Sequence, residues 1–300
     1  MAHMPRLVAV VFLLLLSSYS SSAHQTRSGA AGKPQPPPSL RLYVFDCGTL
    51  DIADTGRFRL KREEVSTDKL SVGCYLVAHP RGTLVWDTGA VPDSMVAGPG
   101  TPIKYRIVLP DSQERNVTVT YPLKTHLAQA GYAPANITYV AISHAHKDHT
   151  ANLNQFAAST WLVRPVEREF MFRPGNERVE PRFYNQLERS RTIAIEKDEY
   201  DVFGDGTVVI KAAPGHTPGH EVLVLNLAKS GRIMVAGDLY HYPPERTFQR
   251  KPPDNEFNVE QSAASRAMIE EYLKKTKTSI WIQHDFRANS TLKKSPAFYE

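Results

Sequence analysis

Cysteine is nearly absent from this 300-residue chain: Cys47 and Cys74 are the two it has. One pair is no disulfide framework, and their spacing fits no thiolate metal motif, which argues against a cysteine-stapled miniature domain or a zinc ribbon. The sequence leaves open whether the two pair or stay as buried thiols. Long hydrophobic runs are missing as well. The apolar stretch Leu7–Leu16 is about half the ~20 residues that a bilayer-spanning helix needs, so stable membrane insertion is not expected. Charge of one sign is not concentrated either. Thirty-six Lys and Arg against 31 Asp and Glu leave +5, with no run of like charges resembling a nucleic-acid stripe, so no nucleic-acid partner is expected. No repeat recurs at solenoid-like periods.

What is present is ordinary globular material, 41% hydrophobic and 22% charged, enough to bury a core. The start is distinctive: Arg6, the apolar Leu7–Leu16, then a Ser-rich segment ending Ser21-Ser22-Ala23. A basic start, a short hydrophobic run and small residues at a cut predict an export signal over 1–23, and hence a periplasmic or secreted protein. No cysteine follows the run to carry a lipid. Residues 24–39, with Gly32-Lys33-Pro34-Gln35-Pro36-Pro37-Pro38, read as an extended Pro-rich leader, and a single domain is expected over 40–300.

Within that domain short apolar, β-branched runs recur: Leu42–Phe45, Leu70–Val77, Thr83–Trp86, Ile137–Ser143, Thr160–Val163, Val208–Lys211, Glu221–Leu227, Arg232–Ala236 and Ser279–Ile282. Helices are expected at Leu123–Ala130 before Gly131, at Asp148–Ala158, and at Asn258–Thr276 with Ala264, Met268, Ile269 and Leu273 on one face. Lys104–Leu109 and Val117–Tyr121 read as a hairpin and a possible dimer contact. The charged segment 165–200, with Phe170, Phe172, Phe183 and Tyr184, is either a pocket cover or an exposed helical arm. The sum is an α/β sandwich with helices outside.

The chemistry is carried by Ser143-His144-Ala145-His146-Lys147-Asp148-His149, directly after an apolar strand. His144 and His146, two apart in extended backbone, point the same way and can grip one cation, while Asp148 and His149 can reach a second beside it. Buried without a ligand, so many polar groups would go unsatisfied. Further candidates also stand at strand ends: His216 and His220 in Gly215-His216-Thr217-Pro218-Gly219-His220, Asp238 after Ala236-Gly237, and His284 after Ile282-Gln283.

This series, HxHxDH, GHTPGH, GD and a late strand-end His, resembles the metallo-β-lactamase superfamily, and in particular its N-acyl homoserine lactonase (quorum-quenching) branch. Leu42-Tyr43-Val44-Phe45, Val72-Gly73-Cys74-Tyr75-Leu76-Val77, Val85-Trp86-Asp87-Thr88-Gly89 and Gly131-Tyr132 add to the likeness, which covers most of 40–287. The resemblance implies an αββα sandwich of two mixed sheets with helices outside. It implies one metal ion on His144, His146 and His216, and a second on Asp148, His149 and His284, with Asp238 between them. Two divalent ions, zinc first among them, are the expected cofactors. His220 and Asp87 are expected to support the ligands rather than bind. Two positions depart from the lactonase pattern. Where a tyrosine follows the bridging aspartate by three residues, this chain has His241, preceded by Tyr240; either could donate a hydrogen bond to substrate, or both could be loop surface. Lys147 stands where an aromatic is usual.

The expected reaction is opening of a lactone by hydroxide bridging two cations, which lower the pKa of a shared water towards ~7, with Asp148 passing a proton to the leaving oxygen. The alternatives are a β-lactamase, against which Asp238 argues, and a thioester or phosphoester hydrolase of the same fold. A catalytically silent metal-binding module is the reading from another class. Asn116, Asn136 and Asn289 begin Asn-x-Ser/Thr sequons, which matter only in a eukaryotic secretory pathway.

Overall fold

In the computed structural model the described residues are Met1, 34–98, 100–108 and 114–300. Of the export signal expected over 1–23 and the leader expected over 24–39, residues 2–33 lie outside them. Eight strands form one sheet: β1 (Arg41–Asp51), β2 (Lys69–His79), β3 (Gly82–Trp86), β4 (Ile103–Val108), β5 (Glu114–Val119), β6 (Tyr139–Ala141), β7 (Thr160–Val163) and β8 (Thr192–Ala194), in the order β4-β5-β1-β2-β3-β6-β7-β8. Five form a second: β9 (Glu199–Asp201), β10 (Val208–Ala212), β11 (Glu221–Leu227), β12 (Gly231–Val235) and β13 (Ser279–Trp281), in the order β13-β12-β11-β10-β9. Both are mixed: β3, β6, β7 and β8 run parallel to one another, as do β12 and β13, and the other pairs are antiparallel.

Side-chain alternation explains the layering, because a strand buried on both faces supplies two cores at period two. Leu42, Val44, Tyr75, Val77, Leu84 and Trp86 meet Ile210, Leu223, Leu225, Ile233 and Val235 between the sheets. The intervening Tyr43, Phe45, Leu76, Val85 and Val140 face outward onto Leu123 and Leu127 of α1 (Leu123–Gln129) and onto Phe156 and Phe170. On the far side, Val222, Val224 and Met234 pack on Ile269 and Leu273 of the long helix. Helix, sheet, sheet, helix is the expected αββα sandwich, and it occupies one unit, Pro34–Glu300. Among the described residues no helix is long and apolar enough to cross a membrane.

Three helical expectations change in detail. Asp148–Ala158 is not one helix: α2 (Lys147–Thr150) stops, and a 3-10 turn follows at Leu153–Phe156. Asn152 ends it, because its buried amide donates to Thr88 O and Val91 O, 2.9 Å each, and its backbone leaves the helical region. The charged segment 165–200 opens with α3 (Pro165–Phe172) and turns Phe170, Phe183 and Tyr184 into the core, so it is no free arm. After α4 (Pro243–Thr247), the long helix α5 (Val259–Thr276) buries Ser262, Ser265, Arg266, Ile269 and Leu273, leaving Met268 and Ala264 outside. Its inward polar residues have partners: Ser265 donates to Pro214 O at 2.6 Å, and Arg266 donates to Leu239 O and Glu245. The helix therefore grips loops as well as covering the sheet. A final helix, α6 (Phe286–Thr291), is capped by Asp285.

Cys47 and Cys74, on the paired strands β1 and β2, form a disulfide. Asn116 is exposed and Asn136 half-buried; Asn289 is buried, its side-chain oxygen accepting from Lys294 at 2.8 Å.

Candidate metal centre

Parallel strands deliver their following loops to one edge. β3 and β6 pair Trp86 with Ala141, so Asp87 and the segment from Ser143 leave side by side. Asp87 turns back at φ 59°, and its carboxylate accepts from Ser143 N at 2.6 Å and from the Ser143 hydroxyl at 2.9 Å. In the other sheet β12 pairs Val235 with Trp281, and Asp238 and His284 each lie three residues beyond that pair. The loop between β10 and β11 brings His216, and α2 brings Asp148 and His149. His284 also closes the two sheets together, its Nδ1 standing 2.6 Å from Ser71 O on β2.

Seven side chains meet there as two adjoining groups, each with ligand atoms within 4.8 Å of one another: His144, His146, His216 and Asp238; and Asp148, His149 and His284. Asp238 serves both. Its Oδ2 lies 3.3 Å from His216 Nε2 and 3.6 Å from His144 Nε2, while its Oδ1 lies 3.2 Å from His149 Nε2 and 3.0 Å from His284 Nε2. Asp148 Oδ2 stands 3.8 Å from His149 Nε2 and 3.7 Å from His284 Nε2.

The donor set suits cations. Tetrahedral bonds of ~2.0–2.1 Å set neighbouring nitrogens roughly 3.3–3.4 Å apart, close to the separations found. His144 Nε2, His149 Nε2 and Asp238 Oδ1 are buried atoms without a hydrogen-bond partner. The opposite ring nitrogens are engaged: His149 Nδ1 with Asp87 at 2.9 Å, His216 Nδ1 with Glu256 at 3.1 Å and His144 Nδ1 with the Ser143 hydroxyl at 3.1 Å. That arrangement orients each ring and leaves its other lone pair for a metal. His146 instead presents Nδ1, 3.0 Å from His216 Nε2.

Charge follows the same pattern. Burial and the neighbouring imidazoles hold His144 well below the usual histidine range, and burial with His216 does the same to His146. His216 and His149 go the other way: burial opposes their charge but the carboxylates outweigh it, Glu256 and Asp238 pushing His216 up to about 10. Asp238, despite its burial, is held well below the carboxylate range by His284, His144 and His149.

The remaining sequence candidates separate. His220 is a support: its Nδ1 meets Ala213 O at 2.9 Å, its Nε2 accepts from Asp238 N at 3.0 Å, and burial keeps it neutral, with a pKa down at about 3. Asp87 supports too, through Ser143, His149 and Gln283. His241 reaches the cleft, with Nε2 3.3 Å from Asp238 Oδ2 and the ring 4.5 Å from that of Phe58. Tyr240 is a correction: the structure does not bring it to the site. Successive side chains diverge there, and its hydroxyl donates to Glu270 at 3.1 Å beneath Arg266, in the core against α5. Neither residue is loop surface; both are buried.

Sequence reasoning did not find Glu256 or Glu167. Glu256 takes a hydrogen bond from Ser262 at 2.7 Å besides facing His216. Glu167 joins two ligand loops, accepting from Ala145 N and Gly219 N at 2.7 Å each. Each is a lone acidic residue among many, and nothing in the local pattern marks it.

The family model of the metallo-beta-lactamase superfamily matches residues 67–274. The chain is similar to the N-acyl homoserine lactonase AttM of Rhizobium radiobacter, 27% identical over 269 residues, covering 87% of this chain and 98% of that one. Among solved structures it resembles an N-acyl homoserine lactone hydrolase with N-hexanoyl-L-homoserine at its catalytic metal centre, with a TM-score of 0.70 and 22% identity over 86% of this chain and 98% of that one. It also resembles AidC, a dizinc quorum-quenching lactonase, with a TM-score of 0.59 and 19% identity over 87% and 94%.

Proposed function

This chain belongs to the metallo-beta-lactamase superfamily, and we propose that it is a dinuclear metal-dependent hydrolase opening the ring of an N-acyl homoserine lactone or a related cyclic ester. The observation that carries the reading is Asp238, whose two oxygens face two separate histidine groups at 3.0–3.6 Å. His144, His146 and His216 would hold one ion, Asp148, His149 and His284 the other, and zinc suits this imidazole and carboxylate set. When bound, two such ions supply Lewis acidity at the ester carbonyl and a water ionising near neutrality.

The chain's own groups do the rest. The cleft of about 230 Å³ opens on Asp148, Asp238 and His241, so that a substrate carbonyl bound in it would lie against the cluster. His241, where similar lactonases carry a tyrosine, contributes a ring nitrogen for the substrate; Glu245 fixes it, accepting from His241 N at 2.9 Å. Asp148 lines the same cleft, where it would take the proton given up by the attacking water and pass it to the departing alkoxide. Names of similar proteins support the lactone over a β-lactam, thioester or phosphoester.

The Leu7–Leu16 run supports export to the periplasm or medium, and the Cys47–Cys74 disulfide is at home in an oxidising compartment. The β4–β5 hairpin, with β4 ending its sheet, is where a second copy would pair.

The test combines metal analysis of the purified protein with rates on N-hexanoyl homoserine lactone, a β-lactam, a thioester and a phosphodiester. Two ions per chain and fastest turnover of the lactone are expected. Turnover surviving full metal removal, or a preference for another class, would replace the reading.

A further inference from the structure

The disulfide spans a weak point of the larger sheet. Between Asp46 and Thr49 the register of β1 on β2 slips, so that Cys47 and Gly48 together face Val72 alone. Such a bulge interrupts the ladder of backbone hydrogen bonds. Cys47 lies in the bulge, and its bond to Cys74 ties the two strands where their pairing fails. Both cysteines are buried.

Two structures that orient metal ligands rest on this bond. Gly89 lies against it: a Cβ there would stand 3.1 Å from Cys47 Cβ and 3.5 Å from Cys74 Sγ. The 87–89 loop in turn holds α2. The Thr88 N–H and hydroxyl both donate to His149 O, at 2.8 and 3.0 Å, and Ala151 N donates to Gly89 O at 3.0 Å. On the other side Gly73, next to Cys74, accepts from Gln283 Nε2 at 2.9 Å. Ser71 donates its hydroxyl to Gln283 O at 2.8 Å, and its carbonyl meets His284 Nδ1. His149 and His284 belong to one group, with Asp148. The other group is anchored elsewhere, by Glu167 between the His144–His146 and His216 loops and by Glu256 at the His216 ring. Its link to the 87–89 loop is Ser143, whose hydroxyl lies between Asp87 and His144 Nδ1 at 2.9 and 3.1 Å.

We propose that the Cys47–Cys74 bond is a positioning element for one half of the metal centre. It fixes the 87–89 loop and the β2 segment 71–73, and through them His149 and His284. The ion at Asp148, His149 and His284 therefore depends on the bond far more than the ion at His144, His146 and His216. This rests on the two-ion reading above and is independent of which substrate is cleaved. Loss of one partner that orients a ligand weakens metal binding roughly 10–100-fold. Losing the bond loosens the supports of two ligands of the same ion, whereas the other ion feels the change only through Ser143.

The test titrates zinc into the metal-free full-length protein against chromophoric chelators, first with the disulfide intact, then as Cys47→Ala/Cys74→Ala with folding checked by circular dichroism. Two ions are expected on the disulfide form. In the paired variant the step that His284→Ala also weakens should lose about tenfold or more in affinity, and the other step less than about threefold. Should the paired variant not fold, the folded wild type is reduced with a phosphine, which ends as its oxide with the oxygen of a water while the two hydrogens go to the sulfurs. Thiols are then counted colorimetrically, and the same selective loss is expected. Two ions held at undiminished affinity without the bond, or both steps weakened alike, as a crosslink that only stabilises the fold would give, would overturn the proposal. A single ion on the disulfide form would remove the two-ion reading and this proposal with it. Selective loss in a protein that opens no lactone would uphold the proposal and remove the lactone reading alone.

Discussion

Asp87 Oδ2 lies 2.9 Å from His149 Nδ1, so a residue that binds no metal itself decides which face of that imidazole looks into the cluster. The contact exists because Asp87 adopts φ 59°, turning its carboxylate under the loop that follows β6. Asparagine tolerates this left-handed backbone and keeps the shape of aspartate. Asp87→Asn should therefore fold, yet bind the ion at His149 some 10–100-fold more weakly. Competition against a chromophoric chelator reads this directly, and an unchanged affinity would show that the contact is incidental.

Glu167 is buried, with one oxygen on Ala145 N and the other on Gly219 N. Glutamine keeps one acceptor and turns an NH2 toward the other backbone N–H. A buried donor left unmatched costs about 1–3 kcal/mol. Glu167→Gln is expected to lower stability in urea by that amount and to loosen the His144–His146 loop against the His216 loop. A wild-type denaturation midpoint would contradict the bridging role.

Gly215 is fixed by its surroundings. At φ 134° an added Cβ would stand 2.2 Å from Ser262 N on α5. Gly215→Ala should destabilise by about 3 kcal/mol or more, combining backbone strain with overpacking, and should weaken metal binding through its neighbour His216. Gly131→Ala is the control: its φ is also positive, at 86°, but nothing lies within 4 Å of the new Cβ. Its cost should be limited to the backbone, about 1–2 kcal/mol.

Metal uptake should release protons. In the metal-free protein Glu256 and Asp238, outweighing burial, push His216 up to about 10, whereas a metal ligand must be neutral. The sign follows: a raised pKa favours the protonated metal-free form from the unfolded value near 6.5 up toward 10, so apparent affinity should climb with pH across that window. Calorimetry in buffers of different ionisation enthalpy counts the released protons. Glu256→Gln removes the main charge holding that proton and should flatten the climb; an unaltered slope would assign it elsewhere.

Much of this architecture was readable beforehand. Strand runs such as Thr160–Val163 and Glu221–Leu227 coincide with β7 and β11, because continuous apolar, β-branched segments have few alternatives in a doubly covered sheet. Where the reading slipped, a long-range contact had overridden a local preference. Asn152 ends α2 by bonding to Thr88 and Val91, some sixty residues away in the chain. Arg266 turns α5 by about one position because its charge finds Leu239 O and Glu245 inside.

The sequence by itself determined the histidine and aspartate clusters and the strand ends that carry them, since ligand spacing and β-periodicity are local properties of the chain. Tertiary structure alone decided which carboxylates steer the imidazoles, why His241 enters the cleft while Tyr240 leaves it, and that Cys47 meets Cys74. Each of those depends on register between strands or on packing between segments far apart in the chain, and no short pattern of residues records such pairings.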